Sequence, residues 1–223
     1  MAAKVHFPIR LLLEFYDQSA GDHSRHTTAV TSVLGEELGA GLLVDYYQRH
    51  GYKADVLDQP CTQGTKKGKR LDRWIKVVKG KQITFYQVEI KNWAASAIGG
   101  RFLALDASKT VLREHKKERW SKEWDGKIFI KEQVRKVLIP MKPPLGADHI
   151  EPLVCFWDAM HPTGKSEALF SIPINHGKFN RVWVFSMSAH LRNLRSDGLD
   201  FVEVDAHATQ ARIKLLNDLV NDI

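Results

Sequence analysis

A carboxylate and an amine two residues apart, Glu89 and Lys91, have the types and spacing that hydrolytic chemistry requires. In a β-strand both side chains would project from one face, while Val88 and Ile90 would project from the other. Two residues of rise separate them by about 6 to 7 Å along the strand. The carboxylate could bind a hard divalent cation, and the lysine could orient a water molecule or offset charge on a phosphate. An exposed ion pair on an antiparallel strand would have the same sequence, so the case for a site depends on what lies nearby.

A predicted β-hairpin would bring a second carboxylate, Asp72, next to this pair. The runs Leu71 to Val78 and Gln82 to Lys91 are rich in β-forming side chains, and Lys79-Gly80-Lys81 between them is typical of a turn. In an antiparallel hairpin the start of the first strand faces the end of the second. We therefore expect Asp72 and Glu89 to lie close together in space.

A predicted helix from Val33 to His50 supplies a third acidic position. Apolar residues recur in it at every fourth position, and these are Leu34, Leu38, Leu42 and Tyr46. Gly51 follows where a C-terminal glycine is expected. Glu36 and Glu37 lie about one turn into this helix, where the helix dipole alone would favour acidic residues. Their position is therefore compatible with a metal site but does not require one.

Two basic segments could contact a polyanion. The first is a glycine- and lysine-rich loop that contains Lys66, Lys67, Lys69 and Arg70. It does not fit a P-loop, because only three residues separate its glycines and Arg70 stands where Ser or Thr would bind magnesium. The second is a predicted helix from Asp106 to Trp124, with Lys116, Lys117 and Arg119 among its basic residues. A charge run usually forms a solvated face, but the interleaved Trp120 and Trp124 favour a surface that contacts phosphates.

Composition and charge favour an intracellular protein with a polyanionic partner. The 223 residues suit one domain, 43% of them are hydrophobic, and the formal net charge is +7. Cys61 and Cys155 form no CxxC motif, which argues against a structural zinc site and favours a reducing compartment. The amino terminus lacks a signal-peptide pattern, and Leu11-Leu12-Leu13 is too short to span a bilayer. We therefore expect a cytoplasmic protein that binds nucleic acid and no membrane.

The rest of the chain alternates between predicted strands and helices. Val5 to Tyr16 is a short strand or helix, and the polar run Asp22 to Thr28 is a loop. Predicted strands lie at 52–57, 152–157, 169–174, 182–187 and 201–204, and predicted helices at 126–139, 189–194 and 209–219. The region from about Thr163 onward contains no motif with an evident function. Three roles stay open for it: completing the sheet, forming a dimer interface, or recognising a DNA sequence.

The order of elements from Val33 to Asp158 resembles the PD-(D/E)xK nuclease superfamily. A helix with Glu36 is followed by a strand, the hairpin with Asp72 and Glu89-x-Lys91, a basic helix and a buried strand. The resemblance rests on this order and on four residues rather than on long identity. It departs from the superfamily pattern at Leu71, where a proline often precedes the aspartate.

The resemblance implies a fold and a domain organisation. It implies an α/β, restriction-endonuclease-like core in which helices flank a central mixed β-sheet. The core would span about 33–158 of a single nuclease-like domain that covers 1–223. Residues 1–32 would be an N-terminal elaboration, and 159–223 would form a C-terminal α/β extension.

The resemblance also implies a role for each candidate residue. The magnesium ligands would be Asp72, Glu89, the backbone carbonyl of Ile90, and Glu36 with Glu37 as the alternative; Mn²⁺ would substitute for Mg²⁺. Lys91 would position or help deprotonate the attacking water. Gln87, on the same face of the strand, would contact the scissile nucleic-acid strand. The catalytic residues would thus be Asp72, Glu89, Lys91 and Glu36.

The implied activity is magnesium-dependent hydrolysis of DNA phosphodiester bonds, which leaves a 5′-phosphate and a 3′-hydroxyl. Restriction, phage defence and DNA repair are all compatible contexts, and a homodimer stays open. One alternative is a nucleic-acid-binding module that keeps the fold without chemistry. Another is a hydrolase directed at RNA that uses the same metal site.

Overall fold

The computed structural model describes residues 4–18, 24–65, 68–91, 136–157, 159, 167–176 and 178–221. The strands in this part of the chain are β1 (Lys4–Pro8), β2 (Lys53–Leu57), β3 (Arg73–Lys79), β4 (Gln82–Lys91), β5 (Ile150–Phe156), β6 (Leu169–His176), β7 (Phe179–Ser186) and β8 (Phe201–Asp205). The helices are α1 (Ile9–Gln18), α2 (Ser24–Arg49), α3 (Met187–Ser196) and α4 (His207–Asn221). The chain is therefore a mixed α/β protein, as predicted.

Six of these strands form one central mixed sheet in the order β2-β3-β4-β5-β7-β6. In the middle of the sheet, β4 is parallel to β5, and β5 is parallel to β7. Toward the edges the pairs are antiparallel: β2 with β3, β3 with β4, and β6 with β7. Parallel strands need cover on both faces, and the interior of β5 is accordingly buried and apolar except for Glu151. Since β6 and β7 belong to this sheet, the region after 159 completes it, which was one of the three roles left open.

Side-chain alternation divides the core into two layers, one on each face of the sheet. Val88 and Ile90 of β4 pack in the first layer with apolar residues of α2 such as Leu42. Phe85 of β4 packs in the second layer with Val137 and its neighbours. Because Glu89 and Lys91 share the odd-numbered face of β4, they lie on the side of this second layer.

The predicted hairpin is confirmed as β3 and β4, with Lys79 paired to Gln82 across the turn. Gly80 has a φ of 59°, the positive value that a type II′ turn requires at its first central position. The two-residue turn sets the register of the whole hairpin, which ends with Arg73 opposite Val88.

Helix α2 begins earlier in the chain than the sequence predicts. The run from Asp22 to Thr28 was predicted as a loop, but α2 begins at Ser24, so the prediction is wrong for Ser24 to Thr28. Polar residues without apolar periodicity gave no helix signal there.

Two other predicted helices cannot be compared in full. The predicted helix at 106–124, and the one at 126–139 except for its last four residues, lie outside the described residues. Among the described helices, none is both long and apolar enough to cross a bilayer.

A small second sheet joins two distant parts of the chain, because β1 pairs antiparallel with β8. Helix α2 packs closely on β8 at Gly41, where an added Cβ would lie 2.6 Å from the Cβ of Val204. Such a distance is too short for two carbon atoms, so the contact requires glycine at this position of the helix. The same packing fixes α2, and with it Glu36, relative to the body of the protein.

Candidate active site

Asp72 lies directly before β3 and is bonded to the end of β4 on either side of Glu89. The last register pair of the hairpin is Arg73 with Val88. The Asp72 N–H donates to the Val88 carbonyl at 3.0 Å, the residue already paired with Arg73, so the regular ladder ends there. The Asp72 Oδ2 accepts a hydrogen bond from the Ile90 N–H at 2.5 Å. Two hydrogen bonds to β4 therefore hold Asp72 at the end of the hairpin.

Glu89 is buried and bound by two lysines. Its side chain is 1% exposed, and its Oε1 accepts hydrogen bonds from Lys91 Nζ and, at 3.0 Å, from Lys136 Nζ. A buried carboxylate is tolerated only when its charge is compensated, and the two amines provide that compensation. Its second oxygen, Oε2, is buried and has no hydrogen-bond partner among the described residues. One face of this carboxylate therefore lacks a ligand.

Burial and neighbouring charge raise the pKa of Asp72 above its ordinary value. Burial has the largest effect, and the negative charge of Glu36 adds to it. The Ile90 N–H and the positive charges of Lys91 and Lys136 act in the opposite direction. Charged residues of α2, of β4 and of the segment that begins at Lys136 therefore all act on the pKa of Asp72.

Glu36 and Glu37, which the sequence left as alternatives, have different environments. Glu36 is 45% exposed and forms an ion pair with Arg73 at 3.0 Å, one residue from Asp72. Glu37 instead accepts hydrogen bonds from the backbone N–H groups of Ala208 and Thr209, at 3.0 and 2.6 Å. These are the first-turn donors of α4, so Glu37 caps that helix. Glu36 is therefore the helix carboxylate nearer the candidate site.

Gln87 lies on the same face of β4 as Glu89, but its side chain binds the protein backbone. Its side chain is fully buried; its Nε2 donates to the carbonyls of Val137 and Ile139, and its Oε1 accepts from the Met141 N–H at 3.1 Å. Every polar atom of the amide is thereby bound to the backbone of one neighbouring segment. The predicted contact with a nucleic-acid strand is contradicted by this burial, and Gln87 instead fastens the segment that carries Lys136.

The basic residues of the predicted nucleic-acid surface are only partly described. Lys69 and Arg70 are exposed and directly precede Leu71 and Asp72 in the chain. The Leu71 N–H donates to the Cys61 carbonyl at 2.8 Å, which closes this loop next to the hairpin. The predicted contacts Lys66, Lys67, Lys116, Lys117 and Arg119 lie outside the described residues. Two exposed cations thus lie within three residues of Asp72 in the chain.

Two residues near the carboxylates did not emerge from the sequence. Lys136 was seen only as one polar residue of an amphipathic segment, and nothing in its spacing to Glu89 indicated a contact. Cys61 is also buried nearby: burial raises the pKa of its thiol to about 12, and the negative charges of Asp72 and Glu89 contribute. A neutral thiol at this position adds no charge to the site.

The residues present fit a magnesium ion in ligand type. Magnesium binds proteins through one or two carboxylates and retains several waters, and Asp72 and Glu89 provide two carboxylates. The unpartnered Glu89 Oε2 is an oxygen that such an ion could satisfy. However, no group of three or more His, Cys, Asp or Glu side chains in the described ranges is arranged so that it could hold a metal. Any ion here would therefore depend on water and backbone ligands as well.

Comparison with known proteins does not assign the chain to a family. No protein-family model, no curated protein and no solved structure matches it. The case for a function therefore depends on the geometry of the site.

Proposed function

We propose that the protein is a magnesium-dependent nuclease that hydrolyses phosphodiester bonds in DNA, on a restriction-endonuclease-like fold. The observation that carries the proposal is the hydrogen bond from the Ile90 N–H to Asp72, next to the buried Glu89 that binds Lys91 and Lys136. Two acids and two amines at one end of the hairpin fit metal-assisted attack on a phosphate. The PD-(D/E)xK resemblance supports it, since an acidic helix, a hairpin and a parallel strand follow in the expected order.

Each residue has a role in this mechanism. Asp72 and Glu89 would hold the cation, with the Ile90 carbonyl and a water on Glu36 as further ligands. Bound there, magnesium would lower the pKa of a water molecule and offset charge on the phosphate oxygens. Lys91 would orient the attacking water, and Lys136 would stabilise negative charge on the phosphate in the transition state.

The charge of the protein supports a nucleic-acid substrate. The formal net charge is +7, and the exposed Lys69 and Arg70 lie next to the candidate site in the chain. Cations next to a carboxylate cluster attract a polyanion toward it and release counterions when it binds. We therefore expect DNA affinity that falls steeply as salt concentration rises.

The proposal is tested by assaying plasmid and single-stranded DNA cleavage with Mg²⁺ or Mn²⁺ for wild type and for Asp72→Asn, Glu89→Gln and Lys91→Met. The matched control is Asp55→Asn, because Asp55 is an exposed acid on β2. Each site variant should lose at least about 10²-fold in rate, the usual scale for a group that stabilises a transition state. The control should cleave like wild type. Equal cleavage by wild type and all three folded site variants would overturn the proposal.

One observation favours the alternative of a binding module without chemistry. Lys91 and Lys136 already compensate the charge of Glu89, and no three-residue metal group was found in the described ranges. Calorimetry with MgCl₂ separates the two functions. If the protein is a nuclease, wild type should bind magnesium and the Asp72→Asn variant should not. If it is a binding module, wild type should bind DNA equally well with and without magnesium. Including RNA among the substrates distinguishes a deoxyribonuclease from the RNA-directed alternative.

A further inference from the structure

A cavity lies toward the other end of β4 from the candidate active site. Its volume is about 390 Å³, and Thr84 and Tyr86 of β4 form part of its wall. Even-numbered residues of β4 face away from the side that carries Glu89. The cavity is thus separated from the carboxylates both along the strand and across the sheet. Its volume lies within the ~300–1,000 Å³ typical of small-molecule sites.

Aromatic rings form much of the wall. Tyr47 of α2 stacks on Tyr86 at 5.7 Å between ring centroids, and Tyr86 meets Trp183 of β7 edge-on at 6.3 Å. Tyr46 and Tyr52 also line the cavity. Rings of this kind bind flat aromatic ligands through stacking and edge contacts. The wall therefore favours a planar ring over an aliphatic chain.

A buried hydrogen-bond donor in the wall lacks a partner. The Trp183 Nε1 is buried and has no hydrogen-bond acceptor among the described residues. Buried tryptophan N–H groups usually find an acceptor, because leaving one unsatisfied is costly. The surrounding side chains shield this donor, so a ring nitrogen or carbonyl oxygen of a ligand would reach it once they shift. Heteroaromatic rings have such atoms, whereas a plain hydrocarbon ring does not.

The charged residues of the wall favour an anionic group. Lys79 Nζ lies 4.7 Å from the centre of the Tyr52 ring, and Arg181 lies 5.2 Å from that of Trp183. Glu151 accepts hydrogen bonds from both Nε and Nη2 of Arg181 and so compensates only one of these cations. The wall therefore carries one positive charge in excess, with His149 bound to Glu151 at 3.0 Å on the same side.

We propose that this cavity binds a nucleoside monophosphate. The base would lie against the tyrosine and tryptophan rings and, once the side chains around Trp183 Nε1 shift, accept a hydrogen bond from it; the phosphate would lie near Lys79 and Arg181. No divalent ion is required. The site is therefore independent of the Asp72 and Glu89 carboxylates, and it stands whether or not the proposed nuclease activity exists.

The test is calorimetric titration of the full chain with 5′-AMP and 5′-CMP in the presence of EDTA. Adenosine tests the contribution of the base without the phosphate, and ribose 5-phosphate tests the anion without the base. The variants are Lys79→Gln and Trp183→Phe, and Lys81→Gln is the matched control, since Lys81 is exposed two residues away and outside the cavity wall. Lys79 is also exposed, so this variant should fold even if Trp183→Phe does not.

We expect a monophosphate to bind more tightly than either fragment. Lys79→Gln should weaken binding by about 10-fold and Trp183→Phe by about 3- to 10-fold, the scale of a charged and a neutral hydrogen bond. Lys81→Gln and Asp72→Asn should bind as wild type does. No binding of either monophosphate, equal affinity for ribose 5-phosphate, or unchanged affinity in Lys79→Gln would overturn the proposal. Loss of binding in Asp72→Asn would place the ligand at the carboxylates and would also overturn it.

Discussion

Lys136 Nζ lies 3.0 Å from Glu89 Oε1, although 47 positions separate the two residues in the chain. Lys91 donates to the same oxygen, so two amines share one carboxylate at the end of the hairpin. The second amine comes from the segment that Gln87 fastens to β4. The position of Lys136 therefore depends on a buried hydrogen-bond network and not on a motif.

Lys136→Met should lower DNA cleavage without unfolding the protein. Loss of one positive charge next to the phosphate should reduce kcat/KM on the order of 10²-fold, the usual effect of removing one transition-state donor. Lys142→Met is the control, because Lys142 is exposed on the same segment. Steady-state cleavage at fixed Mg²⁺ measures both. A rate equal to that of wild type in Lys136→Met would show that the amine only compensates Glu89.

Asp72→Asn should stabilise the protein at neutral pH. Burial, together with the charge of Glu36, raises the pKa of Asp72 in the folded protein, so the folded state binds this proton more tightly than the unfolded state does. The stability that protonated Asp72 contributes is therefore fully present below the unfolded pKa, which is about 3.9. It is lost as pH rises through the folded pKa. The asparagine variant cannot ionise and avoids that loss.

Urea unfolding between pH 4 and pH 7 measures this effect without magnesium present. The difference in unfolding free energy between Asp72→Asn and wild type should grow with pH and disappear near pH 4. Asp55→Asn, at an exposed acid of β2, is the control for the loss of a carboxylate as such. A difference that stays constant across this range would contradict the raised pKa.

Gln87→Leu should destabilise the fold by about 2 to 4 kcal/mol, because it leaves buried backbone groups of one segment without partners. Those groups are the carbonyls of Val137 and Ile139 and the N–H of Met141. The control is Gln82→Leu, an exposed amide on the same strand. Chemical denaturation compares them. A stability loss no greater than in the control would argue against the structural role of this amide.

Glu36→Gln and Glu37→Gln should have opposite effects on cleavage and on stability. Glu36→Gln should reduce cleavage and leave stability nearly unchanged, because its side chain is 45% exposed. Glu37→Gln should leave cleavage unchanged and cost about 1 kcal/mol of stability, as expected for a weakened helix cap. Thermal unfolding and cleavage assays on both variants measure the split. Equal cleavage by Glu36→Gln and wild type would remove Glu36 from the proposed site.

The Glu37 variant also has a predictable pH dependence. Burial of Glu37 opposes its ionisation, but hydrogen bonds from Ala208 and Thr209 outweigh burial and lower its pKa. The stability it provides is therefore present above the unfolded pKa, about 4.3, and is lost as pH falls through the folded pKa. The stability deficit of Glu37→Gln should accordingly narrow in acid. A deficit that is independent of pH would contradict an ionised cap.

The hairpin could be predicted from sequence because it depends on local rules. Alternation assigns the faces of β4, and Gly80 in a two-residue turn sets the register. Counting along that register brings the start of β3, and Asp72 just before it, to the end of β4. The burial of β5 also follows from its apolar run after Glu151.

The roles of Gln87, Glu37 and Lys136 could not be predicted, because each depends on contacts between distant segments. A polar residue on a predicted active-site face can equally bind the backbone of a segment more than fifty positions away, as Gln87 does. Glu37, predicted to lie near the start of a helix, lies in the middle of α2 and caps a different helix, α4. Neither arrangement leaves a local pattern in the sequence.

The pairing of β1 with β8 sets an order of events during synthesis. Pro8 is paired with Phe201, so roughly 190 residues must be translated after the first strand before its partner exists. At 5–20 residues per second, the first strand waits on the order of 10 to 40 s on the ribosome with its edge open. A chaperone that binds nascent chains would have that interval in which to engage β1, and slow codons before β8 would lengthen it.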